Sequence, residues 1–166
     1  MALKKKKFFG NCDEFDFLIL KELRENSKIS IRLLANRTGM HPNTLIQRIN
    51  KLEKDGIIIK YSADLDYSKL GYDLHAIVSI RVSGQAHKRW EMISELSVIP
   101  EILALYAVTG EFDAVAIIKT KNNESLTQTL KEISKRDYVI GTHTQLVLHA
   151  YKHSYEFNPF TMFGRM

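Results

Sequence analysis

The chain has 166 residues, 45% of them apolar and 26% charged, with a formal net charge of +5. This is the composition of an ordinary soluble chain, long enough for one domain or for two small ones that share surface. Its apolar runs stop far short of the roughly 18–20 residues that a membrane span requires, and a lone Cys12 excludes an internal disulfide, which fits a reducing cytoplasm.

The opening stretch, MALKKKKFFGN, is basic but lacks the apolar core and cleavage site of a secretory signal. Residues 1–60 carry 13 Lys and Arg against 7 Asp and Glu, whereas residues 61–166 carry 11 against 12. All the excess positive charge therefore lies in the first third. A Lys-rich terminus alone is often a solvated tail. A whole basic third fits a polyanionic partner, because phosphate contacts supply most sequence-independent affinity.

After Asp13, placed as an N-cap, Phe15, Leu18, Ile19 and Leu23 recur at the spacing of one helix face. ENSK interrupts the pattern. Ser30 then caps a short helix carrying Leu33, Leu34 and Ala35, and Gly39 stands where a left-handed terminal residue is needed. Pro42 opens a third helix at the position where its missing N–H costs nothing; Leu45, Ile49 and Leu52 form its apolar stripe, and Gly56 ends it.

At about 100° per residue, Asn43, Gln47, Asn50 and Lys54 fall opposite that stripe, with Thr44 and Lys51 beside them. A merely solvated face favours Glu and Lys, since Asn and Thr are poor helix formers. Base edges explain the choice better: Asn and Gln pair bidentately with adenine, and Lys reaches guanine or phosphate. Helix, short helix, Gly turn and third helix make a helix-turn-helix whose third helix enters the major groove of double-stranded DNA. The candidate DNA contacts are Ser30, Arg32, His41, Asn43, Thr44, Gln47, Arg48, Asn50, Lys51 and Lys54.

IIIKYSADLDY follows and reads as a short β-wing and a linker, with a domain boundary near Asp64–Gly71. The periodicity then changes. DLHAIVSIRV predicts a strand with Leu74, Ala76, Val78, Ile80 and Val82 on one side; HKRWEMISEL predicts a helix with Trp90, Ile93 and Leu96 inward. ILALYAVTG and AVAIIKT predict two strands, NNESLTQTLKEIS a helix with Leu126, Leu130 and Ile133 inward, and TQLVLHAY a last strand. The order βαββαβ is the ferredoxin-like split unit, an antiparallel sheet with both helices on one face. Yet AVAII and LALYAV are apolar at consecutive positions, so both sheet faces carry hydrophobic side chains. A second subunit is the expected cover.

CDEFDFLILKELRENSKIS, LLANRTGMHPNTLIQRINKLEKDGIIIKYSADLD, LGYDLHAIVSIRV, TGEFDAVAIIKT and YVIGTHTQLVL, in this order and spacing, make residues 13–152 similar to the Lrp/AsnC (leucine-responsive, feast/famine) family of transcription regulators. The resemblance implies an α+β chain: a winged helix-turn-helix followed by a ferredoxin-like amino-acid-binding module. It also implies dimers that assemble into tetramers or octamers, with a small effector, usually an amino acid, bound between dimers. Carried over by motif, the effector site takes Gly110, Phe112 and Asp113 from TGEFD and Thr142 and Thr144 from GTHT. The chain departs from the family where His41 replaces the usual Ser cap and Phe112 the usual Tyr.

The expected divisions are a basic extension over 1–12, the DNA-binding domain over 13–63, a linker over 64–72, the effector and dimerisation domain over 73–152, and a tail over 153–166. No cofactor, metal or catalytic residue is expected. His149 and His153 are four apart in a strand-to-tail region where that spacing puts them on no common face, and Cys12 has no activating partner. His143 fits a packed rim histidine near the effector residues, and Asp113 fits a turn cap as well as a ligand. The alternative is an enzyme: sirohaem decarboxylases resemble the same two-domain architecture, but they have no need of the Asn43, Thr44 and Gln47 face or of the basic first third.

Overall fold

The computed structural model of the chain describes residues 12–84, 86–152 and 159–160. The basic extension before Cys12 and nearly all of the tail after Lys152 lie outside the described residues. The chain forms two compact units, one ending at Asp64, the other spanning Leu65–Lys152.

The first unit holds α1 (Glu14–Glu25), α2 (Ile31–Thr38) and α3 (Pro42–Lys54). Each begins on a side-chain cap: Asp13 with a reciprocal bond from Asp16, Ser30 whose hydroxyl accepts from the Leu33 N–H, and His41 whose Nδ1 accepts from the Asn43 N–H. Gly39 ends α2 at φ 67°, in the left-handed region that glycine enters without strain, and turns the chain into α3. Ile19, Leu34, Leu45, Ile49 and Leu52 meet in the core. Phe160 packs edge-on against Phe17 of α1, ring centres 5.0 Å apart.

Two expectations here need correction. Phe15 does not share the buried face of Ile19; it is 47% exposed, and Asp16 takes the buried position. Asp16 can be buried because Arg48 of α3 reaches it at 2.6 Å and Asp13 at 2.9 and 3.0 Å, while the guanidinium lies over the Phe15 ring. Nor is there a β-wing: no strand forms over residues 57–66. The Ile57 and Ile58 N–H groups are spent on the Leu52 carbonyl closing α3, and among the described residues no strand pairs alongside, so Ile59 stays 87% exposed.

The second unit runs β1 (Leu74–Val82), α4 (Ala86–Glu95), a 3-10 turn (Leu96–Val98), β2 (Ile102–Ala107), β3 (Ala114–Thr120), α5 (Asn123–Ser134) and β4 (Val139–Leu146). The strands order as β2-β3-β1-β4, every pair antiparallel. Ala76, Val78 and Ile80 of β1 and Ala114, Ala116 and Ile118 of β3 are buried against Ile93, Leu96, Leu126 and Ile133. Val115, Ile117 and Lys119 alternate to the other face, where they are half-buried.

Trp90 is not part of this core; it is 66% exposed. α4 ends at Glu95, so Leu96 is placed by the 3-10 turn rather than by the helix, and Ile93 rather than Trp90 is the α4 side chain that enters the core. The last strand also lies earlier than expected, over 139–146 rather than 144–151. Pairing with β1 decides this: Leu146 lies opposite Ala76, the Val147 N–H still reaches the His75 carbonyl, and there β1 runs out. Leu148 and Tyr151, beyond the end of the β1 ladder, are 98% and 93% exposed.

The Arg48 cluster generates a stability prediction. Burial opposes ionisation of Asp13, but the bonds from Arg48 and from the Asp16 N–H outweigh it and hold the carboxyl below its ordinary range. A carboxyl lowered in the folded state adds stability that is complete above its unfolded value and is lost as pH falls through the folded one. Arg48→Met should therefore destabilise the first unit by roughly 2 kcal/mol at neutral pH, and by less as carboxylates become protonated. Hydrogen exchange of α1 and α3 amides at neutral and acid pH measures this; equal protection in both proteins at neutral pH would refute the clamp.

Candidate DNA interface and effector site

The apolar stripe of α3 fixes what its other side presents. With Leu45, Ile49 and Leu52 at 0–8% exposure, Asn43, Thr44, Gln47, Asn50, Lys51 and Lys54 are all exposed, as is Arg32 on α2. The amides and lysines thus form one solvent-facing surface on a helix locked by its core side. His41 itself supplies the cap of α3, its ring nitrogen 3.3 Å from the Asn43 N–H. Ser30 is exposed with its hydroxyl occupied at the start of α2, 3.3 Å from the Leu33 N–H. Arg48 is the exception among the candidates. Its guanidinium is held by Asp13 and Asp16, so it serves α1–α3 packing rather than the exposed surface. Its partners lie more than thirty residues earlier, which no local spacing in the sequence can signal.

At the end of α3, Tyr61 donates to Glu53 at 2.8 Å, and partial burial together with that carboxylate pushes the phenol up to about 12. An open groove of about 820 Å³ runs between the end of α1, the α1–α2 turn and residues 57–64; none of the candidate effector residues lines it.

In the second unit, Gly110 turns the β2–β3 connection at φ 119°, a conformation open to glycine. Asp113 then fastens the turn: its N–H donates to the Ile80 carbonyl, while its carboxylate accepts from the Val82 N–H at 2.9 Å and from Arg89 at 2.8 Å. The role as a turn fastener is therefore filled, and both carboxylate oxygens already have donors. Thr142 and Thr144 lie within β4 rather than in a loop, directly opposite Ile80 and Val78, and so on the helix-bearing side of the sheet. Gly110–Asp113 and Thr142 thus approach the same end of β1 from its two flanks.

Phe112 diverges from the others. Its ring lies under the Arg81 guanidinium, 5.4 Å from the centroid, and 6.3 Å from the His143 ring. Arg81 and His143 alternate to the face that the helices leave open. Arg81, Glu111 and Arg89, none of them singled out from sequence, complete the charge pattern: Arg81 pairs with Glu111 at 2.7 Å and Arg89 with Asp113 at 2.8 Å. Arg81 had a sequence signal, being the one charge in the apolar run VSIRV. Arg89, within HKRW, resembles any solvated helix surface.

Cys12 is buried, and burial pushes its thiol up, away from the thiolate form. Among the described residues no group of three His, Cys, Asp or Glu is disposed to hold a metal, and no helix is long and apolar enough to cross a membrane.

A three-helix unit with an exposed amide surface, followed by a separate sheet unit with a fastened turn, defines a DNA-binding regulator with a ligand-binding module. The family model described as a winged helix-turn-helix DNA-binding domain matches residues 13–59, and the one described as the Lrp/AsnC ligand binding domain matches residues 75–157. The chain belongs to the Lrp/AsnC family of transcription regulators. It is 38% identical to the HTH-type transcriptional regulator FL11 of Pyrococcus horikoshii, over 87% of this chain and 94% of the relative. It is 33% identical to the HTH-type transcriptional regulator Ptr1 of Methanocaldococcus jannaschii, over 84% of this chain and 94% of that one. Among solved structures it resembles AsnC of E. coli at TM-score 0.80, 25% identical over 87% of this chain and 97% of that chain. The regulator NMB0573 of Neisseria meningitidis, solved as a complex with L-Met, has the same fold at TM-score 0.79, 24% identical over 86% of this chain and 94% of that chain.

Proposed function

We propose that this regulator reads a specific operator through α3, responds to a free amino acid or a close analogue, performs no chemistry on it, and acts in the cytoplasm as a dimer or larger assembly. The observation that carries the DNA assignment is the sidedness of α3: its core face is Leu45, Ile49 and Leu52, and its exposed face is rich in Asn, Gln and Lys. Gln47→Ala should lose discrimination at one or two base pairs, costing about 1–3 kcal/mol on the preferred operator and little on random DNA. Lys51→Ala should weaken all sequences alike and lower the salt dependence by roughly one unit of slope. Titrations at several salt concentrations distinguish the two; identical effects on operator and random duplexes would remove Gln47 as a base reader.

For the effector, we place the ligand near Gly110–Asp113 and Thr142–Thr144. The proximity of Asp113 and Thr142 to the same end of β1 supports this, as does the NMB0573–L-Met complex among its structural neighbours. Thr142→Val keeps the shape of an exposed edge residue while removing the hydroxyl, and Asp113→Asn removes the charge. Both should reduce the thermal shift produced by the best ligand of an amino-acid screen while sparing DNA affinity. An unchanged shift in both variants puts the site elsewhere.

The open sheet face supports self-association. Ala104 and Tyr106 of β2, Val115 and Ile117 of β3 and Ile77 of β1 share the side that α4 and α5 do not cover, and Tyr106 is 57% exposed. Packing two such faces about a two-fold axis buries them, at about 25 cal/mol per Å². Sedimentation at micromolar concentration should show a dimer or larger, and operators should contain two related half-sites; a monodisperse monomer of 19.2 kDa defeats the proposal.

A further inference from the structure

Ile46 does not match the chemistry of its surroundings. It is 40% exposed, and it belongs neither to the core of the first unit nor to the half-buried side chains packed on that core. On α3 it stands three residues after Asn43 and four before Asn50, so the three side chains form one continuous row along the helix, with two exposed amides flanking an exposed isoleucine. Helix propensity does not account for it, since a β-branched residue is a weaker helix former than Lys, Glu or Ala at a solvated site. Its position in the first half of α3 matters too, because the N-terminal part of a recognition helix is what meets base edges.

The major groove offers one apolar group at the base edges, the C5 methyl of thymine, and it faces the groove in the same A·T pairs whose adenine edge suits Asn. We propose that Ile46 is a further base-reading residue, which packs its side chain against a thymine methyl beside the pairs that Asn43 and Asn50 contact. The proposal rests on the assignment of α3 as the groove helix. It adds a preference for thymine over cytosine at a position where no hydrogen bond to the protein is needed, because cytosine lacks the methyl.

Thymine and uracil differ by this methyl alone, which supplies the test. An operator is first selected by the full-length protein from random duplexes, and each thymine is then replaced singly by uracil. At one position in each half-site, replacement should weaken binding about four-fold, the loss of one buried carbon group. Ile46→Ala should bind the unmodified operator about as weakly and lose nothing further on uracil replacement there, whereas Ile46→Val should keep most of the sensitivity. The position is exposed and alanine is the stronger helix former, so circular dichroism should show Ile46→Ala folded. A wild-type protein indifferent to every uracil, or an alanine variant as sensitive as the wild type, overturns the proposal while leaving α3 as the reader. Failure to select any preferred sequence overturns the groove assignment and this inference with it.

Discussion

The guanidinium of Arg48, set against Asp13 and Asp16 at 2.6–3.0 Å, fixes the rotation of α3 about its own axis. A leucine stripe specifies that a helix is buried, but apolar packing alone tolerates small rotations. A planar fork that must meet two carboxylates does not. This matters because the exposed side of α3 is defined only as what its core side leaves over. One residue of rotation, about 100°, would replace Asn43, Gln47 and Asn50 by their neighbours. Replacing all three charged members by well-packed apolar residues would change net stability little, whereas removing Arg48 alone strands two carboxylates, so the cluster is better understood as setting orientation than as strengthening the core. It also explains why Asp16 rather than Phe15 is the buried residue in the first turn of α1.

Much of this was legible in the sequence because helix and strand periods are local. The stripe of α3, the Gly39 turn, the caps at Asp13 and Ser30 and the alternation of β1 and β3 all follow from spacing within a dozen residues. Three misplacements share one cause, dependence on residues far along the chain. Arg48 looked like a DNA contact because its acidic partners belong to another helix. TQLVLHAY looked like a strand by composition, but β1 offers pairing only as far as Leu74–Ala76, so the ladder takes the less apolar Val139–Leu146. The three isoleucines after α3 had strand composition without a partner strand among the described residues.

The candidate effector residues show the same limit at a finer scale. A motif supplies residue types, but strand register decides which side each one faces. Thr142 and Thr144 fall on one side of β4 and His143 on the other, so the segment GTHT divides between two surfaces. TGEFD divides likewise, with Asp113 turned to Val82 and Arg89 while Phe112 meets Arg81 and His143. Phe112 therefore bears on the open face, where its ring is engaged by a cation, more than on the surroundings of Asp113.

Asp113 also constrains how a ligand at this turn can act. Its backbone N–H, one carboxylate oxygen and the other are taken by Ile80, Val82 and Arg89 in turn, which ties the β2–β3 connection to β1 and to α4 at once. A ligand group that engages the carboxylate or Arg89 must either share these bonds or displace one of them. Sharing leaves the turn as it is and adds only affinity. Displacing Arg89 frees one end of α4 from the turn and leaves a cation that needs a new partner, for which a ligand carboxylate is suited. A ligand biases two states only by the difference in its free energy of binding to them. If the ligand sits at this turn as proposed, a zwitterion that exchanges the Arg89–Asp113 pair for two bonds of its own would make its contacts only in the exchanged state, and the turn would register it by that exchange.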